Sequence, residues 1–218
     1  MRTIYVDLDG TLLECRERLF ALFRHLSSID DLTADAYWAL KRVPRSHDRL
    51  LTEAGWSKER IERFELQWLS LIEGEEYLAL DRLHDNVAAA LERLSGSHRL
   101  VLLTSRQSAE AATLQLQRLG IRDAFDEILV TGRGRSKMDV LDGRKALLSK
   151  TDILVGDTSE DIRVAIGSGI RPMSVENGFR SADYLSAYKP ERRFTSFCDF
   201  AAYIEEHEAA EDEERSSL

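Results

Sequence analysis

Two aspartates one residue apart, Asp7 and Asp9, follow the first apolar run of the chain, Thr3-Ile4-Tyr5-Val6, in the segment Asp7-Leu8-Asp9-Gly10-Thr11. Aspartate is disfavoured in strands, and ligands of open parallel sheets bind in the crevice outside the carboxyl ends of the strands. A carboxylate pair at such a strand end suits chemistry on a bound ligand, although a turn or a helix cap can use the same residue types. Three further segments bring complementary groups to the same kind of position. Thr104-Ser105-Arg106 ends a second apolar run and supplies a hydroxyl and a cation that could hold an anion. A basic loop, Gly132-Arg133-Gly134-Arg135-Ser136-Lys137, follows a third run. Gly156-Asp157-Thr158-Ser159-Glu160-Asp161 follows a fourth. Carboxylates, a hydroxyl and a lysine are thereby expected to converge at one sheet edge.

The elements that must position these groups are short apolar runs at residues 3–6, 99–103, 127–130, 152–155 and 171–175, rich in Val, Ile and Leu without clean alternation. That is how strands covered on both faces read. Segments of helical periodicity separate the later runs, at residues 85–94, 108–119, 138–148 and 159–166. Gly120 and Gly167 stand where helix C-caps belong. Alternating strand and helix predicts an α/β fold with a Rossmann-like parallel sheet. Between the first two runs the pattern is helical only. Leu19, Leu22, Phe23 and Leu26 share one face, as do Ile61, Phe64, Trp68 and Leu71, and Pro44 and Gly55 punctuate the middle. The division expected is an α/β core of residues 1–13 and 81–204, an inserted all-helical module of residues 14–80, and an acidic, disordered tail of residues 205–218.

Composition narrows the class. The 218 residues are 43% apolar and 32% charged, enough for one sizeable core. No apolar stretch approaches the roughly 20 residues of a membrane span, and a strand begins at the N-terminus with no leader pattern, so a cytoplasmic protein that does not engage membranes is expected. The formal charge is −9, but seven acids fall in the tail, which leaves the body nearly balanced, and no nucleic-acid partner is expected. Cys15 and Cys198 are too far apart for a close-spaced metal or disulfide framework and read as ordinary cysteines.

Taken jointly and in order, DLDGT, an apolar strand ending in Thr104, a lysine and GDTSED resemble the haloacid dehalogenase-like hydrolases, most of which are phosphatases, and the helical insert resembles the cap of phosphoglycolate phosphatase-like members. The resemblance covers nearly everything except the tail. It implies a small phosphorylated metabolite as substrate, a monomer or homodimer, and a Mg²⁺ cofactor. By the same resemblance Asp7 is the nucleophile that forms an aspartyl-phosphate, and Asp9 is first general acid and then general base. Thr104 binds a phosphoryl oxygen, and a lysine, Lys137 or alternatively Lys145, offsets phosphate charge. The metal is assigned to Asp7, the carbonyl of Asp9 and Asp157, with Asp161 in support. Attack of an anionic carboxylate on an anionic phosphate needs just such charge neutralisation. A sugar phosphomutase, a dehalogenase and a non-catalytic binding protein are the alternatives on this fold, though a dehalogenase has no need of Asp9. Arg42, Arg45 and His47 cluster around Pro44 and read as a solvated basic turn or as a reader of a substrate anion. Arg133 and Arg135 read as solvated loop residues, and no pattern supports Lys41 or Lys58 as a Schiff-base lysine.

Overall fold

The computed structural model describes residues 2–43 and 47–216, with side chains described to residue 207. In chain order the elements are β1 (Thr3–Val6), β2 (Leu13–Glu14), α1 (Arg16–Ser27), α2 (Ala34–Arg42), α3 (His47–Glu53), α4 (Lys58–Leu71), α5 (Glu75–Leu78), β3 (Arg82–Leu83), α6 (Val87–Ser95) and β4 (Arg99–Thr104). They continue with α7 (Ala109–Arg118), β5 (Glu127–Val130), α8 (Lys137–Asp142), β6 (Ile153–Gly156), α9 (Ser159–Ser168), β7 (Arg171–Val175), α10 (Ala182–Ser186), β8 (Arg192–Phe194) and α11 (Phe197–Ser216). Six strands form one sheet in the order β5-β4-β1-β6-β7-β8, every pair parallel. The expected α/β class with a Rossmann-like parallel sheet is what forms.

Strand residues alternate between two apolar layers, which explains why the runs show no polar face. Ile4, Val6, Leu100, Leu102, Ile153 and Val155 pack on one side with α6 and α11, through residues such as Leu91, Leu94 and Phe200. Tyr5, Val101, Leu103 and Leu154 pack on the other with Leu141, Val164 and Ala165 of α8 and α9. Burial of both faces makes apolar residues favourable at consecutive positions. Strand order reverses on either side of β1, and the ends of β1, β4 and β6 therefore open into a common crevice.

The chain leaves the sheet through β2 and returns through β3, and these strands pair antiparallel, Leu13 with Leu83 and Glu14 with Arg82. The segment between them carries α1 to α5. Phe23, Tyr37, Leu51, Ile61 and Phe64 are buried within it, as the leucine and aromatic stripes required.

Several features differ from expectation, among them the short strands β2 and β3 where only a helical pattern was expected. The helix expected over 138–148 stops at Asp142, and after Gly143 the chain makes a short 3-10 turn, Lys145–Leu147. Gly167 is not a cap but an interior residue of α9, where a Cβ would lie 2.4 Å from the flexible end of the Met138 side chain on α8. The cap residue is Gly169, with a φ of 72°. β8 escaped notice because it has three residues, two of them exposed arginines at the sheet edge. The backbone of residues 205–216, expected as a disordered tail, continues the helix of α11. No helix among the described residues is long and apolar enough to cross a membrane.

Candidate active site

Asp7 leaves β1 with its N–H donating to Val155 O at 3.0 Å, so the loop begins beside the end of β6. Gly10 then turns the chain with a φ of 87°. Asp7, Asp157 and Asp161 come together here, each side chain offering an oxygen within 4.8 Å of the others'. All three are buried, and so is Lys137. Its Nζ donates to Asp7 Oδ1 at 2.5 Å and to Asp161 Oδ1 at 2.6 Å. Thr11 Oγ1 lies 3.3 Å from Asp7 Oδ2 and 3.2 Å from Asp157 Oδ1. Asp161 has a second task. Its other oxygen accepts from Thr158 N at 3.1 Å and Thr158 Oγ1 at 2.7 Å, closing a capping box that starts α9. The GDTSED segment thus caps α9 and brings Asp157 and Asp161 beside Asp7.

Electrostatics at this cluster are unbalanced. Burial raises the Asp7 carboxyl to about 7 against the pull of Lys137, with Asp161 adding repulsion. Burial, then Asp7 and Asp161, push Asp157 well above the ordinary range. Burial opposes the charge on Lys137, yet Asp161 and Asp7 outweigh it and raise its pKa. Three carboxylates against one ammonium lack two positive charges, and an all-oxygen set of this kind suits a hard divalent cation. Lys145 stands apart, exposed in its 3-10 turn. Thr104 is buried at the end of β4 and lines the same crevice.

Asp157 is placed by the backbone as well as by its neighbours. Its Oδ2 accepts from Phe179 N at 2.5 Å, and a Cβ on Gly178 would lie 2.1 Å from that oxygen. Gly178→Ala is therefore expected to displace the carboxylate and weaken divalent-cation binding at this cluster about tenfold or more. Titration of melting temperature with a divalent cation checks this, and an unchanged midpoint would refute it.

Asp9 has different company. Arg106 Nε donates to its Oδ2 at 2.5 Å and Arg106 Nη2 to its Oδ1 at 2.6 Å, while Arg18 Nη2 donates to Oδ1 at 2.7 Å. Cys15 Sγ adds a contact of 3.2 Å. Asp81 closes the network, 3.0 Å from Arg18 Nε and 3.4 Å from Arg106 Nη2, and accepts from Gln115 Nε2 at 2.8 Å. Burial would raise the Asp9 pKa, but Arg106 and Arg18 hold it far below the usual carboxylate range. The anion held by Arg106 is thus Asp9 itself. Sequence reasoning missed Arg18, Asp81 and Gln115, since each is a single polar residue in an otherwise ordinary pattern. Cys15 is ordinary in redox terms, and burial raises its thiol pKa well above normal.

The basic cluster of the insert is neither a solvated turn nor an open anion site at the positions described. Arg42 Nη1 and Nη2 donate to Gly178 O at 3.0 Å and Glu176 O at 2.8 Å, joining α2 to the loop after β7. His47 Nε2 lies 3.0 Å from Tyr37 Oη among the rings of Phe23, Phe64 and Trp68. Burial and the charge of Lys41 lower its pKa to about 3, which keeps it neutral. Arg45 lies outside the described residues. Lys41 is lowered to about 8 by burial and by Arg180, Lys58 is 3.8 Å from Glu62, and Arg133 Nε donates to Gln107 Oε1 at 2.9 Å.

Above the cluster lies a cavity of about 320 Å³, floored by Asp7, Thr104 and Lys137 and roofed by Leu69, Ile72 and Glu73 of the insert. Glu73 accepts from Gln107 N at 2.7 Å and Ser108 N at 3.1 Å, and Gln107 Nε2 donates to Leu69 O at 2.8 Å. The insert is thus hydrogen-bonded over the strand ends.

A family model described as haloacid dehalogenase-like hydrolase matches residues 1–169. No match is found among curated proteins. A haloacid dehalogenase-like family hydrolase from Streptococcus pneumoniae superposes with a TM-score of 0.78 at 22% identity, covering 94% of this chain and 98% of that one. A protein named as a predicted phosphoglycolate phosphatase from Haemophilus somnus gives 0.72 at 21% identity, with coverage of 94% and 98%. A predicted phosphatase from Clostridium acetobutylicum gives 0.72 at 18% identity, with the same coverage. At these identities the likeness is one of fold.

Proposed function

The chain belongs to the haloacid dehalogenase-like hydrolase family, and from that premise we propose that it is a Mg²⁺-dependent phosphatase of small phosphate monoesters, acting in the cytoplasm through an aspartyl-phosphate on Asp7. The observation that carries this reading is Lys137 Nζ, 2.5 Å from Asp7 and 2.6 Å from Asp161, with Asp157 beside them. One ammonium among three buried carboxylates leaves room for a divalent cation and then a phosphoryl dianion.

Asp7, the carbonyl of Asp9 and Asp157 would hold the Mg²⁺, with Asp161 supporting them, and the ion would supply charge neutralisation between carboxylate and phosphate. Thr104 and Lys137 bind phosphoryl oxygens. A carboxylate oxygen of Asp7 attacks phosphorus, the bond to the ester oxygen breaks, and the departing alkoxide takes a proton from Asp9. Water then attacks the phosphoryl group, its proton passes to Asp9, and phosphate leaves with Asp7 restored. The ionised Asp9 held by Arg18 and Arg106 is the form that the second step needs. The first step requires it to part from at least one guanidinium and carry a proton. Residues 14–80 act as the cap domain over a core of residues 1–13 and 81–204.

Purified protein with p-nitrophenyl phosphate and MgCl₂ is expected to release phosphate, to lose that activity on chelation, and to yield, after acid quenching, a phosphorylated peptide containing Asp7. Turnover unaffected by chelation, or a phosphate found on another residue, would refute the reading.

A further inference from the structure

We propose that the site takes phosphate esters whose alcohol carries no second anionic group, so that carboxylate-bearing phosphates are its poorer ligands. The inference rests on the phosphatase reading for the place of the phosphoryl group, beside Thr104 and Lys137.

The cations lining the cavity are Lys137, Arg18 and Arg106, and each is already met by carboxylates of this chain. Lys137 bridges Asp7 and Asp161. Arg18 and Arg106 are charge-matched by Asp9 and Asp81, two guanidiniums against two carboxylates, with all three contacts to Asp9 at 2.7 Å or less, and Arg106 Nη1 is left buried without a hydrogen-bond partner. A substrate carboxylate would have to displace Asp9 from its partners. The two backbone donors just before α7 are taken as well, because Gln107 N and Ser108 N already donate to Glu73. Glu73 and Glu160 both line the cavity and repel a second anion at its rim. What remains for the alcohol is the apolar wall of Leu19, Leu69, Ile72 and Phe179. A volume of about 320 Å³ stands at the small end of ligand pockets.

Matched pairs that differ only in this charge test the proposal: glycerol phosphate against phosphoglycerate, and ethylene glycol monophosphate against phosphoglycolate. Affinities are measured by calorimetry with Mg²⁺ on Asp7→Asn protein, where binding is read without turnover. The uncharged member of each pair is expected to bind at least about tenfold more tightly. Adding Asp9→Asn, or Asp81→Asn if that variant folds better, releases guanidinium charge and is expected to remove most of the preference. Equal or tighter binding of the carboxylates overturns the proposal, as does binding of none of the four esters. Turnover of p-nitrophenyl phosphate by wild-type protein is scored separately. Binding preference without turnover counts against the phosphatase reading alone, and turnover with a carboxylate preference counts against this one alone.

Discussion

Asp7→Asn is expected to lower kcat by about a thousandfold or more while leaving the fold intact. An amide of the same shape keeps the packing of the loop after β1 but removes the oxygen proposed as nucleophile. Stability should hold or rise in metal-free protein, because one of three buried carboxylates disappears and Lys137 keeps Asp161 at 2.6 Å. The pH dependence has a definite sign. A carboxyl at about 7 in the fold, above its unfolded value of 3.8, takes up protons on folding between those values, so metal-free stability falls as pH rises through that window. Asp7→Asn is expected to flatten part of that fall. Melting temperature measured in chelator from pH 4 to pH 8, beside the rate of phosphate release, reads both effects. Wild-type turnover in the variant would exclude Asp7 as nucleophile.

Lys137→Met is expected to cost both stability and activity, and the comparison with Lys145→Met separates the two lysines that the sequence left open. Methionine fills the buried space but leaves Asp7, Asp157 and Asp161 without an ammonium. Breaking a buried ion pair from one side costs about 3 kcal/mol or more, which for a chain of this length corresponds to a melting temperature about 6–12 °C lower. Mg²⁺ should restore part of the loss, since it supplies the missing charge. kcat is expected to fall at least about a hundredfold, because a phosphoryl dianion loses its counter-charge. Lys145 is exposed, and Lys145→Met should change neither quantity. The reverse outcome, an inert Lys137→Met and an inactive Lys145→Met, would move the phosphate-binding role to the other residue.

Much of this was legible in the chain because it is one-dimensional. Continuous runs such as Leu100-Val101-Leu102-Leu103 face apolar layers on both sides, so they mark buried strands wherever they stand. Whatever polar residue follows such a strand must emerge at its carboxyl end, which is why Asp7, Thr104 and Asp157 could be assigned to one edge. Local chemistry also located Asp161, whose place three residues after Thr158 makes it both cap and site residue.

Tertiary structure decided everything that depended on which charges meet. Spacing cannot say that Arg18 of α1, Asp81 before β3 and Arg106 after β4 close around Asp9, since they are brought there by the insert's entry and exit and by strand order. That meeting holds the Asp9 carboxyl far below the usual carboxylate range. Lys137 was separated from Lys145 in the same way, by the break of α8 after Asp142 that leaves one lysine buried against Asp7 and the other in solvent. The sequence by itself determined five of the six strands of the sheet and the groups at their ends, because burial periodicity is a local property. Only the folded chain decided the partners of each charge, because electrostatic balance depends on distances between residues far apart in sequence.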